Sequence, residues 1–145
     1  MQKMSGENKT ILLVEDDPDD AELAIMALNE SRLANDIKHV WDGKEAIDYL
    51  LDESNDPLPQ LVLLDLKLPK VGGLEVLKKI RSTLRTSRLP VVILTSSDED
   101  NDITRSYDLG VNSYIKKPVD FDQFVKCVKQ LGLYWLVLNM SPPIS

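Results

Sequence analysis

Asp65 closes the apolar run Leu61 to Leu64 and is followed by Leu66-Lys67-Leu68-Pro69. A run of that kind reads as a central strand buried on both faces, ending in a turn. Other polar groups stand at the ends of similar runs. Glu15-Asp16-Asp17 follows Thr10 to Val14 (TILLV), Thr95 follows Val91 to Leu94, and Lys116-Lys117 follows Ser113 to Ile115. Clustered carboxylates repel one another unless a cation intervenes. Oxygen ligands of this kind suit magnesium, which binds one or two carboxylates and keeps several waters. An aspartate can attack phosphorus to form an aspartyl phosphate. The negative charge that develops then needs a metal, a lysine and hydroxyl or backbone donors. Glu15, Asp16, Asp65, Thr95 and Lys117 would supply such chemistry if the fold brings their strand ends together.

The elements between them make that plausible. Asp17 reads as a helix N-cap with Pro18 at the first helical position and acids in the first turn. Ala21, Ala24, Ile25 and Leu28 form the stripe of that helix. Ile37 to Trp41 reads as a second strand with its turn at Asp42-Gly43, and Ala46, Ile47 and Leu50 mark a second helix. Asp52 to Gln60 is polar, with two prolines, and reads as a loop. Gly72-Gly73 precedes a third helix carrying Leu74, Leu77, Ile80 and Leu84. Asp98 to Leu109 reads as a fourth, closed by Gly110. Phe121, Phe124, Val125, Val128 and Leu131 define a fifth. Strict alternation of strand and helix predicts an α/β fold with helices on both faces of a parallel sheet. Five such units suit the flavodoxin-like three-layer order 2-1-3-4-5. In that order the strands carrying Glu15-Asp16, Asp65, Thr95 and Lys117 end close together.

Composition narrows the class. The chain has 145 residues, which suits one domain. Its net charge of -7 argues against non-specific binding to nucleic acid or to an anionic membrane. The single cysteine, Cys127, cannot form an internal disulfide, which fits a reducing compartment. The first residues are polar without a signal-peptide core, and no stretch is apolar enough to span a bilayer. The expectation is one cytoplasmic domain over 1–145, with a polar arm at 1–8 and an extension at 132–145.

Taken in order, VEDDP (Val14 to Pro18), LLDLKLP (Leu63 to Pro69) with Gly72-Gly73, LTSS (Leu94 to Ser97) and YIKKP (Tyr114 to Pro118) resemble the receiver domain of two-component response regulators. The resemblance runs from about residue 9 to 131. It implies that Asp65 is the phosphoacceptor, that Asp16 binds Mg²⁺ directly and Glu15 through water, and that Lys67 offers its backbone carbonyl to the metal. Thr95 would hydrogen-bond the phosphoryl group and Lys117 would pair with it. Tyr114 would swing inward with Thr95 as the switch, and Pro118 would follow a cis peptide bond. The partner implied is a sensor histidine kinase, and the activity is self-catalysed phosphotransfer and autodephosphorylation rather than enzymatic turnover. The PDDAELA start, the DESNDPLP loop and the LGLYWLVLN tail are similar to small regulators paired with cyanobacterial phytochromes. Some of these form homodimers, here through the face of the fourth helix, fifth strand and fifth helix or through the 133–138 tail. The residues after the fifth helix are too few for a DNA-binding output domain, so output is expected through protein contacts or an onward phosphate relay.

Plainer readings stand beside these. Glu15-Asp16-Asp17 alone can be a solvated helix cap, and Lys116-Lys117 alone is surface charge. Leu133 to Leu138 is either a helix extension packed on its own domain or a partner surface. His39 and Trp41 read as a surface or partly buried residue and a packing residue. A receiver fold without turnover and an aspartyl phosphatase are the competing functions. The phosphatase reading expects a second acid two residues after the nucleophile, where this chain has Lys67.

Overall fold

The computed structural model describes residues 10–31, 36–55, 58–68, 70–96, 100–117, 120–127 and 129–130. The arm at 1–8, Pro118 and the 132–145 extension lie outside the described residues. β1 (Thr10–Val14), β2 (Asp36–Val40), β3 (Leu61–Leu64), β4 (Val91–Thr95) and β5 (Ser113–Lys116) form one parallel sheet in the order β2-β1-β3-β4-β5. Between them run α1 (Pro18–Ser31), α2 (Gly43–Leu51), α3 (Gly73–Ser82) and α4 (Asp100–Asp108), and residues 121–127 form the helix after β5, α5. This is the expected flavodoxin-like α/β sandwich.

Alternation along the strands divides the core into two layers. Leu12, Val14, Val62, Leu64, Val91 and Ile93 face α2 and α3, packing on Ala46, Leu50, Val76, Leu77 and Ile80. Ile11, Leu13, Leu61, Leu63, Val92 and Leu94 face the other way, onto Ala21, Ala24, Leu28, Phe124 and Val125. Every residue of β3 and β4 is buried, which explains the unbroken apolar runs in the sequence. The registers Val14↔Leu64 and Leu64↔Ile93 bring the carboxyl ends of β1, β3 and β4 level.

Local signals set the helix starts. Asp17 accepts the amide protons of Asp19 (2.8 Å) and Asp20 (3.2 Å), so it caps α1 with Pro18 at the first helical position. Asp42 caps α2 by accepting from Glu45 N–H at 2.8 Å. Gly110, with φ of 84°, ends the segment after α4 in the left-handed region, as expected for a helix C-terminus.

Two expectations are corrected. The third helix does not carry its stripe to Leu84, which is 92% exposed. The helix stops at Ser82, Thr83 is extended, and Thr86 enters the core instead, its hydroxyl donating to Ile80 O at 2.7 Å. The second strand covers Asp36–Val40 rather than Ile37 to Trp41, because the chain turns at Trp41 to place Asp42 as a cap. Trp41, expected as a packing residue, is 45% exposed and packs on His39, with ring centroids 4.0 Å apart and planes tilted by 40°.

Candidate functional site

The carboxyl ends of β1, β3, β4 and β5 enclose a cluster of buried polar side chains. Glu15 and Asp65 are buried, and Asp16 beside them is exposed. One carboxylate oxygen from each of Glu15, Asp16 and Asp65 lies within 4.8 Å of the others. Lys117 reaches into the cluster from the end of β5. Its Nζ lies 2.8 Å from Glu15 Oε1, 2.8 Å from Asp20 Oδ2 and 3.3 Å from Asp65 Oδ2.

Backbone geometry explains how the strands deliver these groups. Glu15 N–H donates to Val40 O (3.1 Å) and Asp65 N–H to Val14 O (3.1 Å), so each ladder continues one residue past its strand. Lys117 N–H donates to Thr95 O at 2.7 Å, which ties the lysine to the end of β4. The turn after β3 folds back so that Lys67 N–H reaches Asp65 Oδ1 at 3.1 Å, while the Lys67 side chain points to solvent. Gly73, at the start of α3, lies so close to this turn that a Cβ there would meet Asp65 O at 2.3 Å. Glycine is the residue that lets the helix pack against the backbone of Asp65.

The cluster carries more negative charge than its one lysine neutralises. Burial raises the Glu15 carboxyl to about 7, with the nearby Asp65 charge adding to the effect against the pull of Lys117. For Lys117, burial alone would favour the neutral amine. Hydrogen bonds to Asp20 and Glu15, with the Asp65 charge, outweigh that and hold it above its ordinary value. Both shifts have one meaning: the site holds positive charge tightly, as protons or as a cation.

The donor set fits a hard divalent ion. It offers three carboxylates on one side, with oxygen donors only and no thiolate or imidazole among them. Of the residues singled out in the sequence, Glu15, Asp16, Asp65 and Lys117 come together directly. Thr95 is fully buried at the end of β4 beside them. Tyr114, half-buried on β5 opposite Ile93, packs against the α2–α3 side of the core. Sequence reasoning missed Asp20 as a partner of Lys117, treating it as one of several first-turn acids. Its signal was position: α1 starts directly after the acidic pair, so its first turn borders the site.

A parallel β2-β1-β3-β4-β5 sheet with an acid cluster and a lysine at its carboxyl edge defines a receiver. The chain matches the response regulator receiver domain family over residues 11–129 and belongs to it. Among its relatives, the probable methanogenesis regulatory protein FilR2 of Methanothrix harundinacea is 45% identical over 134 residues, covering 91% of this chain and 86% of that protein. Response regulator Rcp1 of Synechocystis is 37% identical over 139 residues, with 94% and 95% covered. The crystal structure of the phosphorylated cyanobacterial phytochrome response regulator RcpA superposes with a TM-score of 0.79 at 42% identity, covering 89% of this chain and 94% of that one. The Mn²⁺-bound form of Rcp1 gives 0.78 at 38%, covering 88% and 94%. The chain is thus a receiver-domain response regulator related to the phytochrome response regulators, with an acid cluster consistent with divalent metal binding.

Proposed function

We propose that the protein accepts a phosphoryl group from a sensor histidine kinase onto Asp65 and signals through protein contacts. The observation that carries this is the buried Asp65 carboxylate 3.3 Å from Lys117, with Glu15 and Asp16 completing an oxygen donor set. An oxygen of Asp65 attacks the phosphorus of a phosphohistidine. The new P–O bond forms as the P–N bond breaks, and the imidazole of the kinase departs. Lys117 neutralises charge gathering on the phosphoryl oxygens, and the Lys67 N–H holds Asp65 Oδ1 so that the carboxylate keeps one orientation. Thr95, buried at the neighbouring strand end, contributes its hydroxyl to the phosphoryl group.

Glu15, Asp16, Asp65 and the Lys67 carbonyl would hold Mg²⁺, which supplies charge stabilisation for the transferring group when bound. Phosphorylation adds negative charge at Asp65, and Thr95 and Tyr114 are the residues through which that charge reaches the α4–β5–α5 face. A cis bond before Pro118 belongs to the same reading. Turnover is limited to this self-catalysed transfer and to autodephosphorylation.

Relatedness to RcpA and Rcp1 supports a phytochrome-type kinase as partner. The chain is read as one receiver domain over 1–145 with a short arm and a C-terminal extension, working in the cytoplasm. Among the described residues no helix is long and apolar enough to cross a membrane. A homodimer through the α4–β5–α5 face or the 133–138 tail, and no engagement of nucleic acid, complete the proposal.

The test is incubation with acetyl phosphate and Mg²⁺, followed by intact-mass measurement. Wild type is expected to gain one acid-labile phosphate and Asp65→Asn none. Equal labelling of the two, or none in wild type, rejects Asp65 as the acceptor.

A further inference from the structure

His39 stands on β2, opposite Leu13 of β1, and its ring reaches forward along the sheet to the acid cluster. Its Nε2 lies 2.8 Å from the backbone oxygen of Glu15. A carbonyl oxygen only accepts, so Nε2 carries the proton and donates. The need for this bond follows from the sheet. With Val14 paired to Val40, the N–H of Glu15 donates to Val40 O, and the next ladder bond would bring the residue 42 amide to Glu15 O. The chain turns off at Asp42 to cap α2, so the ladder stops one bond short. The His39 side chain supplies the donor in its place.

The bond fixes more than one residue. The Glu15 carbonyl lies in the plane of the Glu15–Asp16 peptide, and that plane sets the direction in which Asp16 leaves the strand. Trp41 packs beside the imidazole, with ring centroids 4.0 Å apart and planes tilted by 40°, and its backbone N–H donates to Glu45 Oε1 at 2.8 Å. The ring of His39 therefore has two contacts that fix it, the Trp41 ring and the Glu15 carbonyl of the backbone that carries two of the three clustered acids.

We propose that His39 is a positioning residue for the divalent-cation site. It orients Glu15 and Asp16 through their shared peptide without touching the ion. This rests on the reading of the acid cluster as a metal site, and the experiment separates the two. Mn²⁺ is titrated calorimetrically into the full chain as wild type, His39→Phe and His39→Gln, and the metal-free melting temperature of each is recorded. Phe keeps an aromatic face for Trp41 and loses the donor, while Gln keeps an amide N–H. Partners that orient a metal site from outside its ligand shell alter affinity by about 10- to 100-fold. Wild type is expected to bind Mn²⁺, His39→Phe about tenfold more weakly, and His39→Gln close to wild type. Equal Mn²⁺ affinity for wild type and His39→Phe overturns the role of His39 and leaves the site intact. Equal weakening in the Phe and Gln variants, following their melting temperatures, overturns it too. Absence of Mn²⁺ binding in wild type removes the site itself and the inference with it. The pair His39→Gln and His39→Met repeats the comparison of donor with no donor if the Phe variant does not fold.

Discussion

Two of the partly buried cations stand at opposite ends of the sheet, and their surroundings differ in kind. At the carboxyl end, Lys117 faces three carboxylates, Glu15, Asp20 and Asp65. At the amino end, Arg81 of α3 faces neutral oxygens. Its Nη1 donates to Leu89 O (2.7 Å), and its Nη2 and Nε donate to Gly110 O (2.7 and 3.2 Å). Longer bonds reach Ser87 O and Asn112 Oδ1. Those oxygens lie in the segments that lead into β4 and β5. The guanidinium fork therefore clamps two strand entries to the end of a helix and leaves no surplus of negative charge. The lysine site keeps one. A cation met by backbone carbonyls is a structural fastening, whereas a cation outnumbered by carboxylates is a site still drawing positive charge.

The largest effect that would test this contrast is at Lys117. Lys117→Met is expected to slow phosphorylation of Asp65 by acetyl phosphate about 100-fold, the scale for losing one preorganised charge partner of a transition state. The same variant should bind Mg²⁺ at least as tightly as wild type, because a competing cation has left the carboxylates. Parallel loss of Mg²⁺ affinity and rate would show that Lys117 only scaffolds the acids, and the contrast with Arg81 would collapse.

Arg81→Ala should do the reverse. Hydrogen bonds from a charged donor contribute about 1.5–3 kcal/mol each and do not add simply, so a loss of about 2 kcal/mol in urea-unfolding stability is expected. Arg81→Lys should recover little, since an ammonium cannot span the same acceptors. Mg²⁺ affinity and phosphorylation rate should stay at wild-type values. A change in either would mean that the amino-end clamp reaches the site across the sheet.

The two cations also differ in how far the sequence reveals them. Lys117 was legible because its neighbours are side chains at strand ends, and the strands are apolar runs that periodicity finds. β1 and β3 were read with their observed bounds for that reason. Arg81 was not legible, because its acceptors are main-chain carbonyls in turns and carry no residue signature. The same cause hid Thr86, which fills the place expected of Leu84 once α3 stops at Ser82. It also hid His39, whose partner is the Glu15 carbonyl. Asp20 escaped for another reason: four acids crowd positions 16–20, and sequence does not say which of them faces the lysine.

A further test sharpens the contrast through pH. In the metal-free fold, burial holds the Glu15 carboxyl at about 7, against an ordinary 4.5. Between those values the folded chain keeps a proton that the unfolded chain has released. Stability of the metal-free protein should therefore fall as pH rises from 4.5 through 7, and level off above. Lys117 stays protonated in both states across this window and adds no slope. Mg²⁺ binding needs the carboxylate, so its affinity should move the other way, weakening by up to about tenfold per pH unit below 7 as the proton competes. The rise in melting temperature on adding Mg²⁺ should then widen as the pH is raised through that window. Glu15→Gln should flatten the metal-free slope, because no proton is then exchanged at that position. A metal-free melting temperature with the same pH dependence in wild type and Glu15→Gln would mean that the charge surplus is carried elsewhere in the cluster. Arg81→Ala offers the control: it should lower the whole profile and leave its slope unchanged, because none of the Arg81 acceptors titrates.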